Sequence, residues 1–271
     1  MSDQPGPASR LDTTVAHPAR RYNYWLGGKD NFAADRLSGD QVAAAFPTVK
    51  QAARENRAFL QRAVGFLAGE AGIRQFLDIG TGLPTADNTH EVAQRIAPRS
   101  RIVYADNDPL VMAHARALLT SSPEGRTAYL ERDLRDPGSI LDDEQLHATL
   151  DLGQPVGLML VAILHFVRDF EDPYGVVGRL VESLPSGSYL AMSHGTYDGL
   201  PAAAVERLEQ ANAATGGLSR PRSRDELARF FTGLDLVDPG IVPVGDWRPA
   251  PDADRPDPVD ICMYGAVARI P

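Results

Sequence analysis

Cysteine is nearly absent from this chain: Cys262 stands alone, so no internal disulfide framework holds the fold. Lysine is scarce too, with Lys29 and Lys50 set against 25 arginines. With abundant alanine, this skew fits the coding bias of a GC-rich genome, and it singles out Lys29, since arginine could have filled a merely solvated position. No apolar run approaches the ~18 residues of a membrane span. The N-terminus also lacks a basic segment followed by an apolar one, so a cytoplasmic address is the expectation. Positive charge is in deficit, with a formal net charge of -9, which argues against general nucleic-acid binding. The histidines other than His165 and His194 show no metal-ligand spacing with one another or with Cys262, so no metal site is expected.

The chain does have the length and apolar content of one large α/β domain. Its 271 residues are 43% hydrophobic and 23% charged, enough for a substantial core, and no internal repeat is visible. Residues 1–16 mix Pro, Ser, Asp and Gly without periodicity and are expected to be mobile. Residues 17–72 form a helical N-terminal segment. A short helix or turn over Arg20 to Phe32, broken by Gly27-Gly28, leads into a loop. An amphipathic helix follows from Thr48 to Ala71, with Phe59, Ala63, Phe66 and Leu67 on one face and Gly72 as its stop.

Residues 73–271 alternate strand and helix at βαβ spacing, which predicts a mostly parallel sheet. Strands are expected at 75–79, 101–105, 127–131, 156–164, 188–193, 234–244 and 261–270. Helices are expected from Pro84 through Ile96, at 109–119 capped by Asp108, at 139–150, 174–184 and 202–214, and from the capping box Ser223-x-x-Glu226 to Thr232. Trp247 to Pro258, with four prolines, reads as an extended loop.

One stretch organises the rest: Gln75-Phe76-Leu77-Asp78-Ile79-Gly80-Thr81-Gly82-Leu83-Pro84-Thr85. A short apolar run ending in an acid and breaking into spaced glycines is a buried strand turning sharply at a ligand site. The dinucleotide fingerprint G-x-G-x-x-G is incomplete, because its third glycine would fall on Thr85. Asp78, two residues before the first glycine, would repel a phosphate and suit a cation. S-adenosylmethionine has no phosphate and carries a sulfonium and an ammonium.

Asp78-x-Gly80-x-Gly82 resembles the first motif of class I S-adenosylmethionine-dependent methyltransferases. More narrowly, Arg21 to Phe32 and Gln75 to Thr85 resemble the R-x-[ND]-Y-x-L-G-G-K-D-N-F and Q-F-L-D-x-G-T-G-L-P-T segments of a largely uncharacterised S-adenosyl methyltransferase family. The resemblance runs from about residue 18 to the C-terminus. It implies a Rossmann-like α/β fold with a seven-stranded, mostly parallel sheet, helices on both faces, an antiparallel final hairpin and an N-terminal helical lid. It also implies S-adenosylmethionine as cofactor.

Candidate residues follow, each with a plainer alternative. Asp78 contacts the methionine amine or holds the glycine turn; Gly80, Thr81 and Gly82 form that turn. Asp106, 24 positions after Gly82, accepts the ribose hydroxyls or starts a helix, with Asn107 beside the adenine. The resemblance gives Asp133 the adenine amine and Leu134 a backbone N–H, against a surface turn. Ala162, near the end of the fourth strand, is a further cofactor-binding candidate. Arg57 pairs with the cofactor carboxylate or is a solvated helix charge. His165 acts as a general base or shapes the pocket by hydrogen bonding, and His194 follows the same logic. Tyr22, Tyr24, Lys29 and Asn31, with Arg21, Trp25, Asp30 and Phe32, form an acceptor-binding lid or an ordinary packed flap. Arg220, Arg222 and Arg224 read as solvated or paired with carboxylates.

The expected activity is methyl transfer to a small-molecule acceptor, without nucleic acid or membrane. A non-catalytic sensor of S-adenosylmethionine or S-adenosylhomocysteine is the alternative, and a nicotinamide dehydrogenase a weaker third.

Overall fold

The computed structural model describes residues 11–271. The mobility expected of residues 1–16 falls, up to residue 10, outside the described residues. Three helices precede the sheet: α1 (Pro18–Trp25), α2 (Ala33–Ala45) and α3 (Val49–Gly69). Then come β1 (Gln75–Ile79), α4 (Thr89–Ile96), β2 (Arg101–Asp106), α5 (Pro109–Leu118) and β3 (Arg126–Glu131). The chain continues through α6 (Pro137–Leu141), α7 (Glu144–Thr149), β4 (Gly157–Val161), α8 (Pro173–Glu182) and β5 (Tyr189–Gly195). It closes with α9 (Ala202–Ala214), α10 (Arg224–Ala228), β6 (Asp235–Leu236), β7 (Val242–Pro243), α11 (Pro258–Ile261) and β8 (Met263–Arg269).

The strand order is β3-β2-β1-β4-β5-β8-β6, with β7 also on β8. The first five strands are parallel, and β8 runs antiparallel to β5, β6 and β7. β6 and β7 are two halves of one interrupted edge strand, so the sheet has seven positions. Strand order reverses on either side of β1, and that switch point opens a crevice at the carboxyl ends of β1 and β4.

Side chains alternate along each strand, and those of β1, β2, β4 and β5 are buried on both faces over most of their length, as strands covered by helices require. Leu77, Ile79, Leu158 and Leu160 join one core, while Phe76, Ile102, Met159 and Val161 join the other with α3. Phe59, Ala63 and Leu67 of α3 are fully buried, and burying a side chain such as Phe59 contributes about 2–3 kcal/mol. Phe66, expected beside them, sits at the rim with its ring edge-on to Trp247, centroids 6.0 Å apart.

Several elements differ from expectation. Residues 33–45 are helical where a loop was expected: Asp35 in the first turn accepts the Phe32 N–H at 2.8 Å, a cap that the weakly amphipathic sequence hid. Pro84 starts no helix. The chain stays open through the Gly80–Asn88 loop, and α4 begins after Asn88, whose N–H is held by Glu91 at 2.7 Å. The strand expected to run to Leu164 stops at Val161, because Ala162 adopts φ 56°. The helix expected over 139–150 splits into α6 and α7, and the one expected to reach Thr232 passes from α10 into a 3-10 turn at Arg229–Phe231. Trp247, placed by sequence in an extended loop, is fully buried edge-on against Phe59 at 5.5 Å.

Candidate functional site

A cavity of about 460 Å³ lies at the carboxyl ends of the central strands, roofed by α1 and α2. Every residue expected at the cofactor lines it. The glycine turn after β1 makes the space. Gly80 has φ +76°, and a Cβ there would meet the Ile163 side chain at 2.5 Å, so only glycine fits. Gly82, at φ +68°, donates its N–H to Asp106 Oδ2 at 2.9 Å. Thr81 Oγ1 donates back to the Asp78 carbonyl at 3.1 Å.

Two carboxylates face this turn from β1 and β2. Asp78 Oδ2 accepts the Thr89 hydroxyl at 2.6 Å, and burial pushes its pKa to about 6 against the pull of Thr89 and Arg57. Asp106 Oδ1 accepts the Asp108 N–H at 2.9 Å. Burial likewise raises Asp106 to about 6, against the hydrogen bonds from Asp108 and Gly82 and with the charges of Asp108 and Asp78 adding to the rise. Neither carboxylate forms an ion pair among the described residues, and each retains unused lone pairs. Thr89, first residue of α4, was not expected here, and no motif marks it.

Asn107 Nδ2 donates to Asp133 Oδ2 at 2.8 Å, so the two residues expected near an adenine are joined. Burial pulls the Asp133 carboxyl up, but the Arg135 N–H, the Asn107 amide and the Arg135 guanidinium bring it below its ordinary value. Ala162 keeps its left-handed turn because its N–H reaches both Ser193 O and Ser193 Oγ, at 3.1 and 3.0 Å. Arg57 donates from Nη2 to the carbonyls of Ala86 and Asp87, both at 3.1 Å, and so pins the far side of the glycine loop.

The other end of the cavity holds His165 and the N-terminal helices. Burial, then His194, Arg21 and Arg222, hold His165 well below its ordinary pKa. The Gly195 N–H points at His165 Nδ1 from 3.4 Å, which favours the tautomer with its proton on Nε2. Tyr22 lines the cavity, donating to the Ala53 carbonyl at 2.8 Å and accepting from Asn56 Nδ2 at 3.0 Å. Asn56 also accepts the Ser193 hydroxyl, linking α1 through α3 to the turn at Ala162.

Four residues expected in the acceptor site are elsewhere. Tyr24 donates to Asp40 at 2.8 Å outside the cavity, and Lys29 is exposed. Asn31 is buried in the loop after α1, bonded to Asn23 Oδ1 at 2.9 Å and to the Gly28 carbonyl at 3.0 Å. His194 lies behind His165, with Nδ1 on the Gly195 carbonyl at 2.8 Å and Nε2 facing Arg222 Nη1 at 3.0 Å. Strand alternation explains its place, since neighbouring side chains point to opposite faces. Arg220 pairs with Asp169 and Glu226 as anticipated, whereas Arg222 is buried and spans from His194 to Asp169.

Among the described residues, no group of three or more His, Cys, Asp or Glu could hold a metal ion, and no helix is long and apolar enough to cross a membrane.

Residues 4–271 match the model of a family described as S-adenosyl methyltransferase. No curated protein matches the sequence. The chain is similar to a crystal structure of a DUF574 family protein from Streptomyces avermitilis MA-4680, with 53% identity and a TM-score of 0.92 over 97% of this chain and 100% of that one. It is also similar to a candidate methyltransferase from Thermobifida fusca YX, with 40% identity, a TM-score of 0.87 and 99% of each chain covered. An O-methyltransferase family protein from Burkholderia thailandensis shares the fold at 16% identity and a TM-score of 0.54, over 87% of this chain and 61% of that one.

Proposed function

The chain belongs to the S-adenosyl methyltransferase family, and from that premise we propose that its cavity holds S-adenosylmethionine at the glycine turn and a small-molecule methyl acceptor beneath α1 and α2. The observation that carries this reading is the pair of buried carboxylates, Asp78 and Asp106, lining one cavity with no ion-pair partner among the described residues. A ligand bringing a cationic amine and hydroxyl donors matches what those oxygens lack. A dinucleotide would set its pyrophosphate at the glycine turn beside the Asp78 charge, so a nicotinamide cofactor fits poorly.

Asp78 would take the methionine ammonium, Asp106 the ribose hydroxyls, and Asp133 with Leu134 and Asn107 the adenine. Arg57, already engaged with two carbonyls, would shape the loop beside the methionine end. When bound, S-adenosylmethionine supplies an electrophilic methyl group on sulfur. The protein contributes alignment and dryness: the Gly80–Ile163 contact and the Ala162 turn fix the wall at the transfer edge, and the N-terminal helices keep bulk water out. His165, neutral with its proton on Nε2, would donate a hydrogen bond to the acceptor and not remove its proton.

Calorimetric titration with S-adenosylmethionine and S-adenosylhomocysteine, followed by a methyl-release assay over a metabolite panel, tests the reading. Binding of both forms with turnover of at least one acceptor is expected. Absence of binding, or a melting-temperature rise with NAD in its place, overturns it. Binding with no turnover over a broad panel would point to a sensor.

A further inference from the structure

Arg21 is a buried cation without an anion. Its relative exposure is 4%, and its Nε has no hydrogen-bond partner. Its guanidinium reaches the Ser38 hydroxyl at 3.3 Å, the one hydrogen bond it makes among the described residues. Asp35, whose charge Arg21 feels, has both oxygens engaged by the His17 and Phe32 backbone N–H groups at 2.8 Å. Other buried or cavity-lining guanidiniums are committed. Arg20 forks onto Asp108, Arg222 onto Asp169 and two carbonyls, and Arg57 onto two carbonyls. Beyond the Ser38 hydroxyl, the Arg21 guanidinium has among the described residues only the face of Trp25, 5.9 Å from the ring centroid. A charge taken out of water with no anion beside it is costly, so a site that keeps one is built for an anion that arrives.

Arg21 lines the cavity in company with Trp25, Val42, Phe46 and Met263, an apolar setting in which a guanidinium binds a carboxylate strongly and in two-pronged geometry. It belongs to the acceptor end: its charge acts on His165, whereas that of Arg57 acts on Asp78. Given the methyltransferase reading above, on which this step rests, we infer that the methyl acceptor is a carboxylic acid with an apolar body, its carboxylate paired with the Arg21 guanidinium.

The test uses the full chain saturated with S-adenosylhomocysteine, titrated by calorimetry with benzoate, phenylacetate, indole-3-acetate and hexanoate. Each acid is matched by its neutral amide, and phenyl phosphate is a separate arm. At least one acid should bind, its amide at least about tenfold more weakly. Arg21→Gln and Arg21→Met should weaken that acid by about tenfold or more while leaving S-adenosylhomocysteine affinity within about twofold. Without ligand, Arg21→Met should melt no lower than the parent, because removing an uncompensated charge relieves the fold; a merely structural arginine would lower it. The inference is overturned if no acid binds, if amides bind as well as acids, or if phenyl phosphate outbinds every acid. It also fails if the Arg21 variants lose S-adenosylhomocysteine, which would assign Arg21 to the cofactor's carboxylate. Failure of the parent protein to bind S-adenosylhomocysteine would sink the methyltransferase reading itself.

Discussion

The guanidinium of Arg20 forks onto both oxygens of Asp108, Nε to Oδ2 at 2.8 Å and Nη2 to Oδ1 at 3.0 Å, with both side chains buried. This pair fastens α1 to the start of α5, where Asp108 also caps the helix by accepting the Leu110 N–H at 2.9 Å. Two residues earlier sits Asp106, so the roof of the cavity and its ribose-facing acid share one anchor. Removing one partner of a buried pair leaves the other charge stranded, at a cost of about 3–5 kcal/mol. Arg20→Ala should therefore lower the melting temperature by about 6–12 °C, taking ~3 kcal/mol at ~2–4 °C for each. Cofactor affinity, read by calorimetry, should fall with it. A variant melting like the parent would show that the pair does not hold the roof.

Gly80→Ala should be among the most damaging single-methyl changes in the chain. The new Cβ would press on Ile163 at 2.5 Å in a backbone with φ +76°, adding overpacking of about 1–3 kcal/mol to about 1 kcal/mol of backbone strain. In the double variant with Ile163→Gly, which also removes the Ile163 Cβ that would lie 2.7 Å away, the overpacking should be relieved and the backbone strain should remain. A double-mutant cycle on denaturant midpoints checks this, and strict additivity would mean the two residues do not press on each other.

Asp78 and Asp106, both raised to about 6 by burial, make cofactor binding pH-dependent. A ligand that brings a cationic amine and hydroxyl donors prefers the ionised forms, so affinity should be full above pH 7 and should weaken as pH falls through 6. Between pH 7 and pH 5 the loss approaches about tenfold for each carboxylate that must be ionised. Calorimetry with S-adenosylhomocysteine at the two pH values reads it directly. Asp106→Asn should bind more weakly at pH 7 and lose less on acidification.

Much of this arrangement was legible because the controlling signals are local. The run from Gln75 to Gly82 carries an apolar strand, an acid and glycines in eight consecutive residues, and Asp108-Pro109 announces a capped helix. Asp106 could be placed because parallel neighbours bring their ends to one edge, whereas Asp133 came from the family resemblance. What could not be read was long-range. Asp35 satisfies the N–H groups of His17 and Phe32 across a turn, and only in three dimensions does that define α2. The place of His194 at the end of a strand points to the cavity, and nothing local in the sequence shows that its ring faces Arg222. The rarity of lysine singles out Lys29, yet rarity reflects composition and says nothing about direction, and the side chain is exposed.

His194, together with His165, makes the fold lose stability in acid. Arg222 Nη1 must donate into its Nε2 at 3.0 Å, so the imidazole proton sits on Nδ1 and reaches the Gly195 carbonyl. Burial drives the pKa to about 3, with the charges of Arg222 and Arg220 lowering it further and the backbone hydrogen bonds opposing. A histidine with a depressed folded pKa binds its proton more readily when unfolded, so its contribution to stability is complete above about pH 6.5 and is lost as pH falls toward 3. Asp78 and Asp106 act oppositely, since raised carboxyl pKa values make the fold gain from protonation between about pH 6 and 4. The net slope reflects this competition, so the variant, not the parent alone, isolates the histidine. His194→Gln keeps an acceptor for Arg222 and carries no titrating ring. It should remove about 1.4 kcal/mol per pH unit, one proton's worth, from the acid slope of unfolding free energy. Urea melts of parent and variant at pH 7, 6 and 5 would show this as a widening advantage for the variant below pH 6.5, and parallel curves would mean that His194 does not stay neutral in the folded protein.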